Sequence, residues 1–254
     1  MSVKDLVLRL LFPPVCLLCG DREEKDGLCD ACRKKYAAET FLRCPACSKT
    51  ADRCLCDTEY ARSSKTELDG KRFLALTWYR PLKKAEDGGE RVTERMILKL
   101  KDRGDFADFF AGELARELSR LFEKAGEDPG TWTAAWCPRS AKRFIETGFD
   151  QSEEVARRTA KLLGCGARSL LGRVDRSEEQ KSLGSRERED NARESIYVRR
   201  SKMRPGMKIL LFDDIVTTGS TVSASADLLY EAGAAEVFPV FLARTIRRGP
   251  DGQE

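Results

Sequence analysis

Residues 209–221 read Ile-Leu-Leu-Phe-Asp-Asp-Ile-Val-Thr-Thr-Gly-Ser-Thr. Two adjacent carboxylates, Asp213 and Asp214, close an apolar run, and four hydroxyl side chains (Thr217, Thr218, Ser220 and Thr221) surround Gly219. Carboxylates accept hydrogen bonds from sugar hydroxyls. Hydroxyls and free backbone N–H groups at a helix start, where the dipole is positive, accept an anion. Together they suit a phosphorylated sugar. A Walker phosphate loop is excluded because the Gly-Lys-[Ser/Thr] ending is missing, and a dinucleotide fingerprint fails for lack of its glycines.

The second chemical set is cysteine. Eight of the ten cysteines lie between Cys16 and Cys56, as Cys16/Cys19, Cys29/Cys32, Cys44/Cys47 and Cys54/Cys56. The first two Cys-x-x-Cys pairs have the ligand spacing of a zinc knuckle or ribbon, and four thiolates in tetrahedral array suit zinc. Few apolar residues separate the pairs, so the segment is short of core and gains its stability from a metal. An iron–sulfur cluster or a redox pair is the alternative. The last pair has one intervening residue instead of two, which leaves the geometry of a second site open. Cys137 and Cys165 have no neighbouring partner and read as small buried hydrophobes.

These groups need elements to hold them. A short all-apolar run is a strand covered on both faces, so Ile209–Phe212 is a buried parallel strand, followed by a tight loop and a helix over Val222–Ala232. Strands are also expected at Phe73–Tyr79, Thr131–Trp136, Arg168–Leu171, Ser195–Val198 and Val237–Ala243. Helices are expected at Glu90–Leu100, Phe106–Lys124 and Gln151–Leu163, and an amphipathic helix at Val3–Phe12. Alternation of strand and helix implies an α/β fold with a parallel sheet flanked by helices, whose ligands bind at the carboxyl ends of strands. The loop Pro138–Arg143 opens at that edge and offers Arg139, Ser140 and Lys142 to a diphosphate, or is a solvated basic loop. Residues 173–194, with Arg173, Gln180, Arg186 and Arg188, read as an arm that closes over substrate, or as a solvated ribbon. Thr58–Asp69 reads as a linker, which divides the chain into a cysteine-rich module at 1–60 and an α/β domain at 61–254.

Composition bounds the partners. Charged residues make up 35% of the 254, and 46 bases against 42 acids leave a net charge of +4, too small to demonstrate a nucleic-acid partner. The basic run Arg33-Lys34-Lys35 with Tyr36, Phe41, Arg43 and Arg53 suits single-stranded nucleic acid, or is the solvated surface of a structural module; Arg199, Arg200, Lys202 and Arg204 form a second basic stretch. The chain has no His, so imidazole catalysis and mixed Cys/His metal sites are ruled out. No apolar run is long enough for a membrane span. A cytoplasmic location is expected, with thiols reduced and available as ligands.

Residues 209–221 resemble the phosphoribosyl pyrophosphate (PRPP) signature of type I phosphoribosyltransferases. Along the whole chain, Phe12-Pro-Pro-Val-Cys-Leu-Leu-Cys-Gly20, Leu28-Cys-Asp-Ala-Cys32, Leu98-Lys-Leu-Lys101, Gly148-Phe-Asp-Gln151, the spaced Arg173/Gln180/Leu183/Arg186/Arg188/Asn191 motif and Leu242-Ala-Arg-Thr245 resemble the ComF family of competence proteins. The chain departs from that family's pattern at Thr147 and Asp150, at Cys137 and at the Cys54-x-Cys56 spacing. The resemblance implies a type I phosphoribosyltransferase domain behind a zinc module. It also implies PRPP bound with Mg²⁺ and a role in natural transformation on single-stranded DNA beside a helicase-like partner. Asp213 and Asp214 would favour an oxocarbenium-like transition state, and the phosphoribosyl acceptor is left open. A non-catalytic PRPP sensor and a nucleobase salvage enzyme are the competing readings.

Overall fold

The computed structural model describes residues 13–22, 27–44, 46–56, 65–80, 91–174 and 195–245, and the backbone alone of 141–143. The expected Val3–Phe12 helix and most of the 173–194 arm lie outside these residues.

Five strands form a parallel sheet in the order β1-β7-β6-β2-β3: β1 (Leu74–Tyr79), β2 (Trp132–Trp136), β3 (Gly166–Ala167), β6 (Lys208–Val216) and β7 (Glu236–Thr245). The central strand β6 pairs with β7 on one side and β2 on the other. Its Ile209, Leu210, Leu211 and Phe212 are all buried, as a strand covered on both faces requires. Helices α2 (Val92–Arg103), α3 (Ala107–Ala125) and α5 (Gln151–Leu163) bury Leu210, Phe212, Trp132 and Phe238 on one face. The opposite face, with Ile209, Leu211, Val237 and Phe241, is covered by α6 (Ser220–Glu231) and by a separate antiparallel ribbon of β4 (Leu171–Arg173) and β5 (Ile196–Val198).

Three departures from the sequence reading have physical causes. The expected strand at Arg168–Leu171 is split: Gly166–Ala167 joins the main sheet and Leu171–Arg173 joins the ribbon. The loop Pro138–Arg143 runs into a short helix, α4 (Ala141–Thr147). Phe144 and Ile145 are 49% and 80% exposed, so α4 presents no inward apolar stripe that a periodicity reading could find. Helix α1 (Asp30–Thr40) was hidden because only Cys32 and Tyr36 on it are buried. Its start is fixed by the Cys29 thiol, which accepts from Cys32 N at 3.4 Å.

Of the expected linker, the described residues 65–69 are docked. Thr66 and Leu68 are buried, Leu68 bridges Lys71, and the Thr66 hydroxyl accepts from Val237 N.

Candidate functional site

The acidic corner is made by three elements meeting at the carboxyl end of β6. Strand pleating sends adjacent side chains to opposite faces, and the partners of Asp214 come from α2 and α5. Its Oδ2 accepts from Gln151 Nε2 at 2.7 Å and lies 3.1 Å from Lys101 Nζ. Its Oδ1 accepts from Ile215 N at 2.5 Å. Lys101 is in the last turn of α2, before Gly104 takes the left-handed conformation (φ 75°) that ends the helix, and a cation there also suits the helix dipole. Gln151 is the first residue of α5, placed by Asp150, whose Oδ1 caps Ser152 N at 2.9 Å and Glu153 N at 3.2 Å. Asp213 accepts from Asp214 N at 2.9 Å. Burial first, and the neighbouring Asp214 charge second, push the Asp213 carboxyl up to about 8.

Beyond Val216 the hydroxyl loop turns at Gly219, whose φ of 86° favours glycine, and α6 starts at Ser220. Thr218 Oγ1 and Ser220 Oγ are 3.0 Å apart, and Thr217, Thr218, Ser220 and Thr221 are partly or fully exposed at this helix start. The loop therefore sits directly after the acidic pair, with partly exposed hydroxyls at a helix start that suits an anion, and Ser220 N donates to Thr218 Oγ1 at 3.4 Å.

The neighbouring loop emerges from β2. Cys137 N donates to Phe212 O at 2.9 Å, which brings Pro138–Ser140 beside the corner. Arg139 is committed within its own loop: Nη1 donates to Thr147 Oγ1 and Phe149 O, both at 3.0 Å, and Nε is buried without a hydrogen-bond partner. Ser140 O accepts from Phe144 N at 3.0 Å, so Ser140 lies at the head of α4, and Lys142 is in its first turn. Arg173 ends β4 and pairs with Ile196; Gln180, Arg186 and Arg188 lie outside the described residues. Cys137 is buried behind this loop with its thiol 3.7 Å from Ser225 Oγ, and Cys165 is partly buried against the core. Lys101 and Gln151 were not singled out as site residues from sequence, although both stand in short motifs quoted above. What hid them is distance: Lys101 is over a hundred residues from Asp214 in the chain.

The cysteines close into two groups. The sulfurs of Cys16, Cys19, Cys29 and Cys32 all lie within 4.8 Å of one another, and so do those of Cys44, Cys47, Cys54 and Cys56. Ligands of a tetrahedral zinc lie about 3.8 Å apart, from a Zn–S bond of about 2.3 Å. Burial, then the other three thiols of the group, push the Cys32 thiol up. Four thiolates therefore need a cation among them, and the donor sets fit zinc. In the second group Cys54 is buried and Cys56 partly buried, and Arg244 donates to the carbonyls of both.

The second role expected of the zinc module fares differently. Tyr36 is 3% exposed, packed edge-on to Phe109 with ring centroids 4.9 Å apart, so it is core and cannot stack on a base. Phe41 is 74% exposed. No helix among the described residues is long and apolar enough to cross a membrane.

Two family models match. Residues 7–62 match the double zinc ribbon domain and residues 150–251 the phosphoribosyl transferase domain. The chain is 26% identical over 245 residues to competence protein ComFC of Streptococcus pneumoniae, covering 90% of this chain and 99% of that one. It is 28% identical over 242 residues to DNA utilization protein YhgH of Salmonella typhi, covering 93% and 100%. Among solved structures, the glutamine PRPP amidotransferase from B. subtilis is 20% identical with a TM-score of 0.36, over 53% of this chain and about a quarter (26%) of that one. This chain is a homologue of the ComFC and YhgH proteins over most of its length, a double zinc ribbon followed by a phosphoribosyl transferase domain.

Proposed function

We propose that the protein binds PRPP with Mg²⁺ at the β6 corner and works with single-stranded DNA in the cytoplasm, as a phosphoribosyltransferase-fold protein of the competence type. The observation that carries the PRPP reading is the direct succession of an acidic pair and an open hydroxyl-rich helix start at the carboxyl end of the central strand. Ribose hydroxyls would meet the carboxylate side, and the 5-phosphate would meet Thr217, Thr218, Gly219, Ser220 and Thr221. The diphosphate and ribose hydroxyls of PRPP would hold Mg²⁺ at the corner, where the ion would supply charge neutralisation to the leaving group. The carboxylates would stabilise positive charge developing on the sugar ring. Ser140, at the head of α4, and Lys142, in its first turn, would meet the diphosphate, while Arg139 shapes that loop from behind.

The DNA reading draws on the names of the relatives, a competence protein and a DNA utilization protein, and on the exposed Phe41 and Tyr197 (74% and 44%) near arginines. With Arg199 stacked 6.0 Å from the Tyr197 ring centroid, the ribbon offers a base-stacking platform with charge beside it. A helicase-like partner would follow from the same role. The chain has no imidazole base, so an acceptor needing deprotonation would rely on a carboxylate or its own basicity.

The test is diphosphate release from PRPP by wild type and by the double variant Asp213→Ala/Asp214→Ala, with and without single-stranded DNA. Release that needs the acidic pair supports an enzyme. Binding of PRPP by calorimetry without release supports a sensor, and no binding in either assay refutes the site.

A further inference from the structure

The two aspartates of the corner are not equivalent, and the protein itself makes the difference. Among the described residues Asp214 meets three donors: Lys101 Nζ at 3.1 Å and Gln151 Nε2 at 2.7 Å on Oδ2, and Ile215 N at 2.5 Å on Oδ1. Its side chain is 12% exposed. A carboxylate has about four acceptor positions, so Asp214 has little left for a ligand. Asp213, among the described residues, takes one hydrogen bond, from Asp214 N. We propose that Lys101 and Gln151 are positioning residues which commit Asp214 to the protein and leave Asp213 as the carboxyl that reads a ligand's hydroxyls.

Three further facts bear on this. Lys101 is delivered by a rigid element, since Met96, Ile97 and Leu100 of α2 are fully buried. Gln151 is fixed by the Asp150 cap and is 6% exposed, and its Oε1 is buried without a hydrogen-bond partner. The amide thus spends its donor on Asp214 and keeps an acceptor in reserve next to the corner. Electrostatics points the same way: a bare pair of adjacent carboxylates repels a phosphorylated ligand, and the Lys101 ammonium cancels one of the two charges.

The inference rests on the phosphoribosyl reading for its ligand but not for its geometry, and the experiment separates the two. PRPP affinity is measured by calorimetry for wild type, Asp213→Asn, Lys101→Met and Lys101→Arg. In parallel, urea unfolding of Lys101→Met, Asp214→Asn and the combined variant forms a double-mutant cycle. The expected result is a tenfold or greater loss of PRPP affinity in Asp213→Asn with an unchanged unfolding midpoint. Lys101→Met should lose affinity about as much and Lys101→Arg should recover most of it, a rescue that a purely structural role would not produce. The cycle should be non-additive. If wild type binds no PRPP, the phosphoribosyl reading falls by itself, and the cycle alone judges the positioning: additive losses overturn it and coupled losses sustain it. If PRPP binds and Lys101→Met leaves affinity unchanged, or Asp213→Asn lowers the unfolding midpoint as Asp214→Asn does, the division of roles is overturned.

Discussion

The two cysteine groups dock on opposite faces of the same sheet, and each is gripped by one arginine from the α/β half. The first group joins the face of α2 and α3, where Cys16, Leu18, Leu28, Cys29 and Tyr36 share a core with Ile97, Phe109 and Phe110. Arg95 on α2 donates to Leu18 O at 2.6 Å. The second joins the face of α6, with Cys44, Ala51 and Cys54 beside Phe73, Ala75 and Trp78. There Arg244, at the end of β7 and 3% exposed, donates to Cys54 O and Cys56 O. Its guanidinium carbon lies 5.7 Å from the Phe73 ring centroid and 5.4 Å from that of Trp78. The first group is thus seated mainly by apolar burial with an arginine at its margin. The second has a smaller apolar seat and a buried arginine at its centre. A zinc site of four thiolates carries a net double negative charge, so a buried cation against the second one is complementary.

The largest effect should come from removing metal. Purified protein is expected to hold two zinc ions per chain by elemental analysis, and chelation should unfold both groups, given a binding free energy of about 10–16 kcal/mol in small zinc peptides. Cys16→Ser/Cys19→Ser and Cys54→Ser/Cys56→Ser should each lose one ion. The first pair should lower the melting temperature further, because it releases the apolar contacts of Leu18, Leu28 and Tyr36 as well as the metal. Equal losses in the two double variants would break the comparison.

Next in size is the arginine pair. Arg244→Met leaves two carbonyls without their buried donor and removes the charge facing the second zinc site, so it should cost about 3 kcal/mol. Arg95→Met removes a donor from a half-buried site and should cost about 1 kcal/mol. Urea unfolding of metal-loaded protein reads both. Zinc content should fall in Arg244→Met and stay at two in Arg95→Met; the reverse order would show that the apolar seat, not the arginine, holds the second group.

What the sequence made legible follows from where the physics is local. The β6 strand, its aspartates and the helix after Gly219 could be read because burial pattern, turn residue and helix start all lie within about twenty residues. Helix α5 keeps its expected bounds, and both of its ends are local features, the Asp150 cap and the left-handed Gly164. Cysteine spacing marked the first metal group, since ligand spacing is itself a short-range property, and left the second open until the fold brought Cys44, Cys47, Cys54 and Cys56 together. The rest depended on contacts between distant residues. Helix α1 has too little apolar surface to announce itself and exists against Phe109. Tyr36 looked like a stacking residue beside a basic run until α3 covered it, and Lys101 and Gln151 became part of the corner only when α2 and α5 were brought to β6. The arginine grips are likewise invisible in sequence, since 77 residues separate Arg95 from Leu18 and 190 separate Arg244 from Cys54.

The smallest effect tests a contact made from the helix that starts at the first group. Helix α1 starts at the Cys29 ligand and ends one residue after Glu39, whose Oε1 and Oε2 accept from Val92 N at 2.8 Å and Thr93 N at 2.9 Å. Arg91, the residue at the cap of α2, makes no side-chain cap bond, so a carboxylate from the zinc module caps α2 in its place. Capping of this kind contributes about 1 kcal/mol, and a negative charge at a helix start adds a few tenths. The capped helix carries Arg95 to the first cysteine group and Lys101 to Asp214, which makes it a single rod between metal and acidic corner. Glu39→Ala should lower the melting temperature by about 2–4 °C, the shift expected per kcal/mol in a chain of this size. Glu39→Gln should lose less, because an amide oxygen still accepts one of the two bonds. Zinc content should stay at two in both variants. Hydrogen exchange should quicken at the first turn of α2 and leave the second cysteine group untouched. Faster exchange at both groups would mean that the two are not separately seated, and the contrast between them would have to be abandoned.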